Sequence, residues 1–208
     1  MFCYGGQVDD ERAGLRERKK QETRIALSWA AVRLVVERGL DNVRVEDIAA
    51  EAGVSVRTFS NYFANKAEAI AARHLDRSKL IAAELRARPA GEPLWAAITN
   101  AVLAGFAMGQ ESATPDPQWL EGIRLMMAEP ALQGELFKAG AAADAEFAAA
   151  IAERTGADLT KDVYPRLVAG AVGAAVTVAI QQSLSADPPL PMESILRDVF
   201  QRLGDGLA

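Results

Sequence analysis

Two stretches of this 208-residue chain contain neither glycine nor proline: Leu15 to Arg38, and Asn65 to Arg88. Those two residue types are the usual helix breakers. Their absence over such spans, with Ile25, Trp29, Val32 and Val36 recurring at helical spacing in the first, predicts long amphipathic helices. Gly39 is placed to end the first as a left-handed C-terminal residue. Asn65 is placed to cap the second, with Glu68 three positions on to complete a capping box.

Between the long helices the pattern shortens. Val45, Ile48, Ala49 and Ala52 share one face of a short helix that Gly53 ends. Ser55 is an N-cap residue for a third helix, with Val56, Phe59 and Phe63 directed inward. After Pro89 the chain offers helices near Leu94–Gln110, Gln118–Ala128, Ala131–Thr155, Lys161–Leu184 and Met192–Leu207, separated by Pro- and Gly-containing breaks. Strand-type alternation is absent. The expected fold is all-α: an N-terminal three-helix helix-turn-helix domain and a C-terminal helical bundle, about nine helices in all. The boundaries read as a flexible tail over 1–14, the helix-turn-helix domain at 15–63, a rod-like connecting helix at 64–88, and a ligand-binding and dimerisation domain at 89–208.

The formal net charge is −5, which does not suggest a polyanion partner for the whole chain. Its distribution does. Residues 12–66 hold 11 Lys and Arg against 7 Asp and Glu, whereas residues 67–208 hold 12 against 18. A basic head on an acidic body would orient on nucleic acid. In the helix-turn-helix arrangement one short helix braces across phosphates and the next lies in the major groove. On the third helix Arg57 suits guanine, Asn61 adenine, and Thr58 or Ser60 either bases or phosphate, beside the capping Ser55. Tyr62 and Lys66 suit phosphate oxygens. The basic run before the head, with Lys19 and Lys20, could track the backbone or lie in the minor groove. Equally, it could be a solvated helical turn, because Glu17 and Glu22 interleave with the cations.

The run from Val45 to Lys66 (VEDIAAEAGVSVRTFSNYFANK) resembles the N-terminal domain of the TetR/AcrR family of regulators. The family pattern is met at Ile48, Ala49, Ala52, Gly53, Val54, Ser55, Thr58, Phe59, Tyr62, Phe63, Asn65 and Lys66. The resemblance implies a homodimer on double-stranded operator DNA, each chain placing Val56–Phe63 in one of two successive major grooves. It also implies a body that binds a small inducer. One position departs: where the family commonly has Thr or Ser as cap and phosphate contact, this chain has Arg44. Arginine can still meet a phosphate but cannot cap, so Asp41 or Asn42 is expected to start the second helix.

In the body, bulky side chains stand among many alanines, a mixture that can leave a cavity between bundle helices. Trp95, Phe106, Trp119, Ile123, Met126, Met127 and Phe147 are the candidate lining, with Arg124 as a candidate anion anchor; packing into a core is the competing reading for them. The segment 117–132 is similar to the subgroup of the same family typified by the mycofactocin-linked regulator, which implies acyl-CoA-like ligands. Gly170, Gly173 and Ala174 would let helices approach closely, and Ile195, Val199 and Phe200 form a stripe on the last helix. Together they are the expected dimer surface, burial within one chain being the alternative.

Catalysis has no visible basis, since no phosphate loop or nucleophile elbow occurs and the one cysteine is Cys3. No metal site, cofactor or enzymatic role is expected, and His74 reads as a packing or surface residue. The N-terminal segment lacks a signal-peptide pattern, and the uncharged run Leu167–Ile180 falls below the roughly 20 residues that span a bilayer, so a cytoplasmic protein without membrane contact is expected. The rival readings are an architectural DNA-binding factor without an inducer, and a helical interaction protein without specific DNA binding.

Overall fold

The computed structural model describes residues 5–107, 117–186 and 190–206. Among them are nine α-helices, one 3-10 turn and no strand. The helices are α1 (Gly5–Arg38), α2 (Val45–Glu51), α3 (Val56–Ser60), α4 (Lys66–Ala87), α5 (Leu94–Ala107), α6 (Pro117–Ala128), α7 (Pro130–Thr155), α8 (Tyr164–Ser185) and α9 (Met192–Gly204). The all-α expectation holds. Residues 1–4 of the expected tail, the expected end of the fifth helix at Gln110 and the expected end of the last at Leu207 lie outside the described residues. The helix start differs from the sequence reading: residues 5–14, expected as tail, are the first turns of α1. Nothing between Gln7 and Arg12 breaks a helix, so the glycines at 5, 6 and 14 are carried at a modest propensity cost.

The chain divides into two compact units, Met1–Arg73 and His74–Ala208. In the first, α1 buries Leu27, Ala31, Leu34 and Val35, a stripe at i, i+4, i+7 and i+8. Val32 is buried at its flank, while Ile25, Trp29 and Val36 are half-buried. Apolar spacing had pointed to those four, but the small residues Ala30 and Ala31 allow closer approach and set the inward face one position away. Ile48, Ala49, Phe59 and Phe63 complete this core. Gly39 ends α1 as expected in place but not in conformation: at φ 79° and ψ 154° it is extended with positive φ, which glycine adopts freely, rather than left-handed helical.

In the second unit α4, α5, α7, α8 and α9 close around Leu85, Ile98, Ile151, Leu196 and Phe200, each at most 1% exposed. α4 and α5 meet at Gly105, where a Cβ would lie 2.3 Å from Ile81 Cγ1, so only hydrogen fits. Arg154 of α7 donates to the carbonyls of Arg88, Pro89 and Glu92, satisfying backbone left open after α4. Arg86 bridges from α4 to Glu146 and Glu153 of α7.

α8 is the one described helix that combines the length and the apolar composition of a membrane span. Its most apolar 18 residues have a mean hydropathy of 1.6. Its Val168, Ala169, Val172, Ala175 and Ala179 are nevertheless buried among neighbouring helices, and Arg166 sits in its first turn. These are marks of a core helix. Its opposite face is apolar and exposed: Val163 just before it is 73% exposed, Leu167 66% and Val178 52%, with Gly170 and Ala174 between.

The last helix corrects the expected dimer surface. Ile195 and Phe200 are buried in the chain's own core and Val199 packs against that core, so their stripe is not available to a partner. α9 presents Glu193, Arg197, Asp198 and Arg202 outward as i, i+4 ion pairs. Gly173 also departs from expectation, because it faces Asp144 of α7 within the same unit. Gly170 and Ala174 alone of the expected set lie on an exposed face.

Candidate nucleic-acid interface and body cleft

Helix α2 ends in a reversal built from backbone. Gly53 N–H donates to Ala50 O at 3.0 Å and Val54 N–H to Ala49 O at 2.9 Å, with Gly53 at φ 69°. A β-carbon is disfavoured in that region, and glycine relieves the turn. Ser55 follows as N-cap of α3, its Oγ accepting from Thr58 N–H at 3.1 Å and lying 2.9 Å from Thr58 Oγ1. A cap of this kind contributes about 1 kcal/mol. Phe59 is buried and its ring tilts against that of Phe63 with centroids 5.8 Å apart, which fixes how α3 rotates about its axis. Thr58 and Ser55 thus hold one another. Ser60 Oγ donates to Val56 O at 3.1 Å.

α3 stops at Ser60, with Asn61 as its C-cap still in helical conformation and donating to Arg57 O, so Tyr62 and Phe63 lie past the regular helix on which the sequence reading had placed them. Arg57, Ser60 and Asn61 are exposed. Val56, expected inward, is 41% exposed. It occupies the first position of a short helix, where the core has already ended. An exposed valine beside Arg57 is the residue that apolar periodicity misplaced, and only the brevity of α3 could have revealed it. Tyr62 is half-buried with its ring near Phe63.

The start of α2 is solved differently from expectation. Neither Asp41 nor Asn42 caps it. Asn42 Nδ2 instead donates to Arg38 O at 2.8 Å. Asp47, three residues into the helix, accepts from Arg44 N–H at 2.8 Å, the acidic half of a capping box working without a capping hydroxyl. The Arg44 side chain is exposed. Asn65 caps α4 as expected, accepting from Glu68 N–H at 2.8 Å, but Glu68 reaches back to Ala64 N–H rather than to Asn65.

Lys66 is not a free cation on the surface. Its Nζ donates to Leu40 O at 2.5 Å and to Val43 O at 2.9 Å, leaving one of its three donors for any phosphate. Arg33 of α1 pairs with Glu51 of α2. Lys19 and Lys20 lie exposed on α1, Lys20 4.0 Å from Glu17.

In the second unit a partly open cleft enclosing about 480 Å³, mouth included, is formed by α4, α5, α7 and α8. Of the expected lining, Phe106 and Phe147 are present. Trp95 instead packs on the core beside Gly204. Trp119, Ile123, Met126 and Met127 do not border the cleft, and Arg124 is exposed and bonded to Glu121 at 2.6 and 2.8 Å. All five lie on α6, and the cleft is built without that helix. What the sequence reading missed is the polar contribution of α4: His74, Arg77 and Ser78. Arg77 stacks over Phe106 at 4.4 Å. Burial, reinforced by the Arg77 charge, holds the His74 pKa below the usual histidine value. Asp144 of α7 stands opposite Gly173, and burial pushes its carboxyl pKa up.

Residues 29–72, which hold the turn and α3, match the bacterial regulatory proteins of the tetR family, and residues 92–208 match the MftR C-terminal domain. The chain belongs to the TetR family. It is 32% identical over 186 residues, covering 88% of this chain and 82% of the relative, to the HTH-type transcriptional regulator TcmR of Streptomyces glaucescens. A protein of Syntrophomonas wolfei assigned to the same family superposes with a TM-score of 0.63 at 18% identity, covering 90% of this chain and 97% of that one. SmeT of Stenotrophomonas maltophilia, the repressor of the multidrug efflux pump SmeDEF, gives 0.55 at 18% identity, covering 89% and 91%. Like other TetR-family proteins, this one is a DNA-binding transcriptional regulator.

Proposed function

We propose that this TetR-family protein is a cytoplasmic repressor that binds a near-palindromic operator as a homodimer and is released by a small hydrophobic or acyl-thioester-like inducer. The observation that carries the reading is the outward face of α3. Ser55 and Phe59 fix its rotation so that Val56, Arg57, Ser60 and Asn61 are presented together. Arg57 suits guanine O6 and N7, Asn61 suits adenine, and the Val56 methyls suit a thymine methyl. Arg44, Tyr62, Lys19 and Lys20 are the proposed phosphate contacts, the Lys66 ammonium being held by Leu40 and Val43. Ser55 and Thr58 contribute through the cap.

Two copies would join through the exposed apolar face of α8, from Val163 through Leu167 to Val178. Two half-sites one helical turn apart demand recognition helices about 34–36 Å apart. The inducer reading is supported by the cleft and by the match of the body to the MftR C-terminal domain. α4 runs without interruption from Lys66 to the cleft-lining His74, Arg77 and Ser78, so a ligand touching those side chains acts directly on the helix that follows the reading head. Ligand and operator would then antagonise each other reciprocally, typically by about 1–3 kcal/mol.

Selection of bound sequences from a random DNA pool tests the reading. A recovered palindrome whose half-sites lie one turn apart supports it. Absence of any enriched sequence at moderate salt sinks it.

A further inference from the structure

At residue 24 the inward face of α1 changes character. Leu27, Ala31 and Val35, at i+3, i+7 and i+11 from it, are buried in the core of the head, so residue 24 belongs to the same face. An apolar side chain would ordinarily continue the stripe by one more turn. The chain has an arginine there instead, half-buried, its guanidinium over the Phe63 ring at 5.4 Å from the centroid. Phe63 is itself buried, and its ring meets those of Phe59 and Tyr62 at centroid distances of 5.8 and 6.5 Å. Arg24 therefore stands at the turn between α3 and α4, across one ring from the tyrosine proposed to meet a phosphate.

α1 runs on past this point. Residues 14–22 include no buried side chain, so this part of the helix overhangs the core of the head. On the face that Arg24 continues, the overhang places Lys20 and Arg16, at i−4 and i−8, both exposed. Glu17 shares that face and stands 4.0 Å from Lys20. The face that buries apolar side chains from Leu27 onward is thus largely basic where it leaves the head. Such a face, beginning beside the end of α3, suits a row of phosphates. Arginine over an aromatic ring is fitted to one of them. The ring attracts the cation and restricts where it can go, and the planar fork offers paired donors to an oxyanion.

We propose that Arg24 binds a backbone phosphate next to the one met by Tyr62, with Phe63 as the shelf that orients its guanidinium and with Lys20 and Arg16 continuing the track. This rests on the reading of α3 as the recognition helix and adds a contact made from α1.

The test compares variants of the full chain on a duplex carrying the operator recovered by selection and on its single-base variants. Arg24→Leu continues the apolar stripe, so a thermal melt should show a head no less stable than the parent. Its slope of log affinity against log salt should nevertheless fall by about one unit, with about tenfold weaker binding near 0.1 M salt and unchanged base preference. Arg24→Lys should restore the slope. Arg18→Gln removes the same charge from another face of α1, where Arg18 lies 3.6 Å from Glu22, and should leave the slope as it was. An unchanged slope in Arg24→Leu, with or without a lowered melting temperature, overturns the proposal and leaves Arg24 a brace of the head. An equal loss in Arg18→Gln overturns it as well, by assigning the effect to net charge. If selection with the parent chain recovers no operator, the recognition-helix reading fails and the Arg24 contact with it.

Discussion

The Lys66 ammonium lies 2.9 Å from the carbonyl oxygen of Val43, tying the first residue of α4 to the chain just ahead of α2. With the second bond to Leu40, this lysine fastens the turn between α1 and α2 to the element that follows α3. The motif position that invites a phosphate contact is thus occupied first by an internal one. Lys66→Met should lower stability by about 1–3 kcal/mol, because two carbonyls lose a charged donor. At temperatures where the variant is folded, the slope of log affinity against log salt should be nearly unchanged. A slope reduced by about one unit would mean that the ammonium serves DNA more than the fold.

Arg57→Ala and Asn61→Ala should change which bases are preferred, each by about 1–3 kcal/mol at one position of the half-site. Val56→Ser should relax a thymine preference at a further position. Competition binding against single-base operator variants reads this directly. A uniform loss across all variants would reassign these side chains to the phosphates.

Gly105→Ala drives a methyl into Ile81, with Cβ 2.3 Å from Cγ1. Overpacking of this kind costs about 1–3 kcal/mol. The double variant Gly105→Ala with Ile81→Ala, which removes Cγ1 itself, should be more stable than the sum of the two single losses in a thermal melt. Additive losses would place the strain elsewhere in α5.

His74 gives the body a pH dependence of known sign. Because burial and Arg77 depress its folded pKa, the unfolded chain takes up the proton first as pH falls. The contribution is complete above the unfolded value near 6.5 and is lost as the pH drops below it. His74→Gln should flatten that part of the melting profile between about pH 7.5 and 5.5. An unchanged slope in the variant would assign the dependence to other groups.

Leu167→Glu puts a charge on the exposed apolar face of α8. Sedimentation should then show monomer at concentrations where the parent chain is dimeric, with the melting temperature of the monomer little changed. A dimer that survives would move the interface off α8.

Much of the head was legible because its determinants are local. Gly39, Gly53, Ser55 and Asn65 act within a few residues of themselves, so the caps and turns could be placed from the sequence alone. Val56 was misplaced because inwardness depends on where the core ends, which spacing does not encode. Lys66 was misread for a similar reason: its partners are 23 and 26 residues away. In the body the helices were legible, but the cleft was not. Aromatic bulk drew attention to Trp95 and to α6, whereas the cleft is set by which helices part, and its polar lining comes from His74, Arg77 and Asp144. The stripe on α9 was seen but assigned to a partner, whereas Ile195 and Phe200 are buried in the chain's own core. Periodicity alone cannot say whether a helix is covered by its own chain or by another.

That last helix has a consequence for control. With Ile195, Leu196 and Phe200 closing the chain's own interior, the body is complete before any second copy arrives. In the proposed dimer, folding and pairing would then be separate equilibria, the second set by protein concentration. A regulator built this way that reads two half-sites answers to its own abundance: well below its pairing constant, operator occupancy rises with roughly the square of copy number, so modest changes in expression act as a signal beside the inducer.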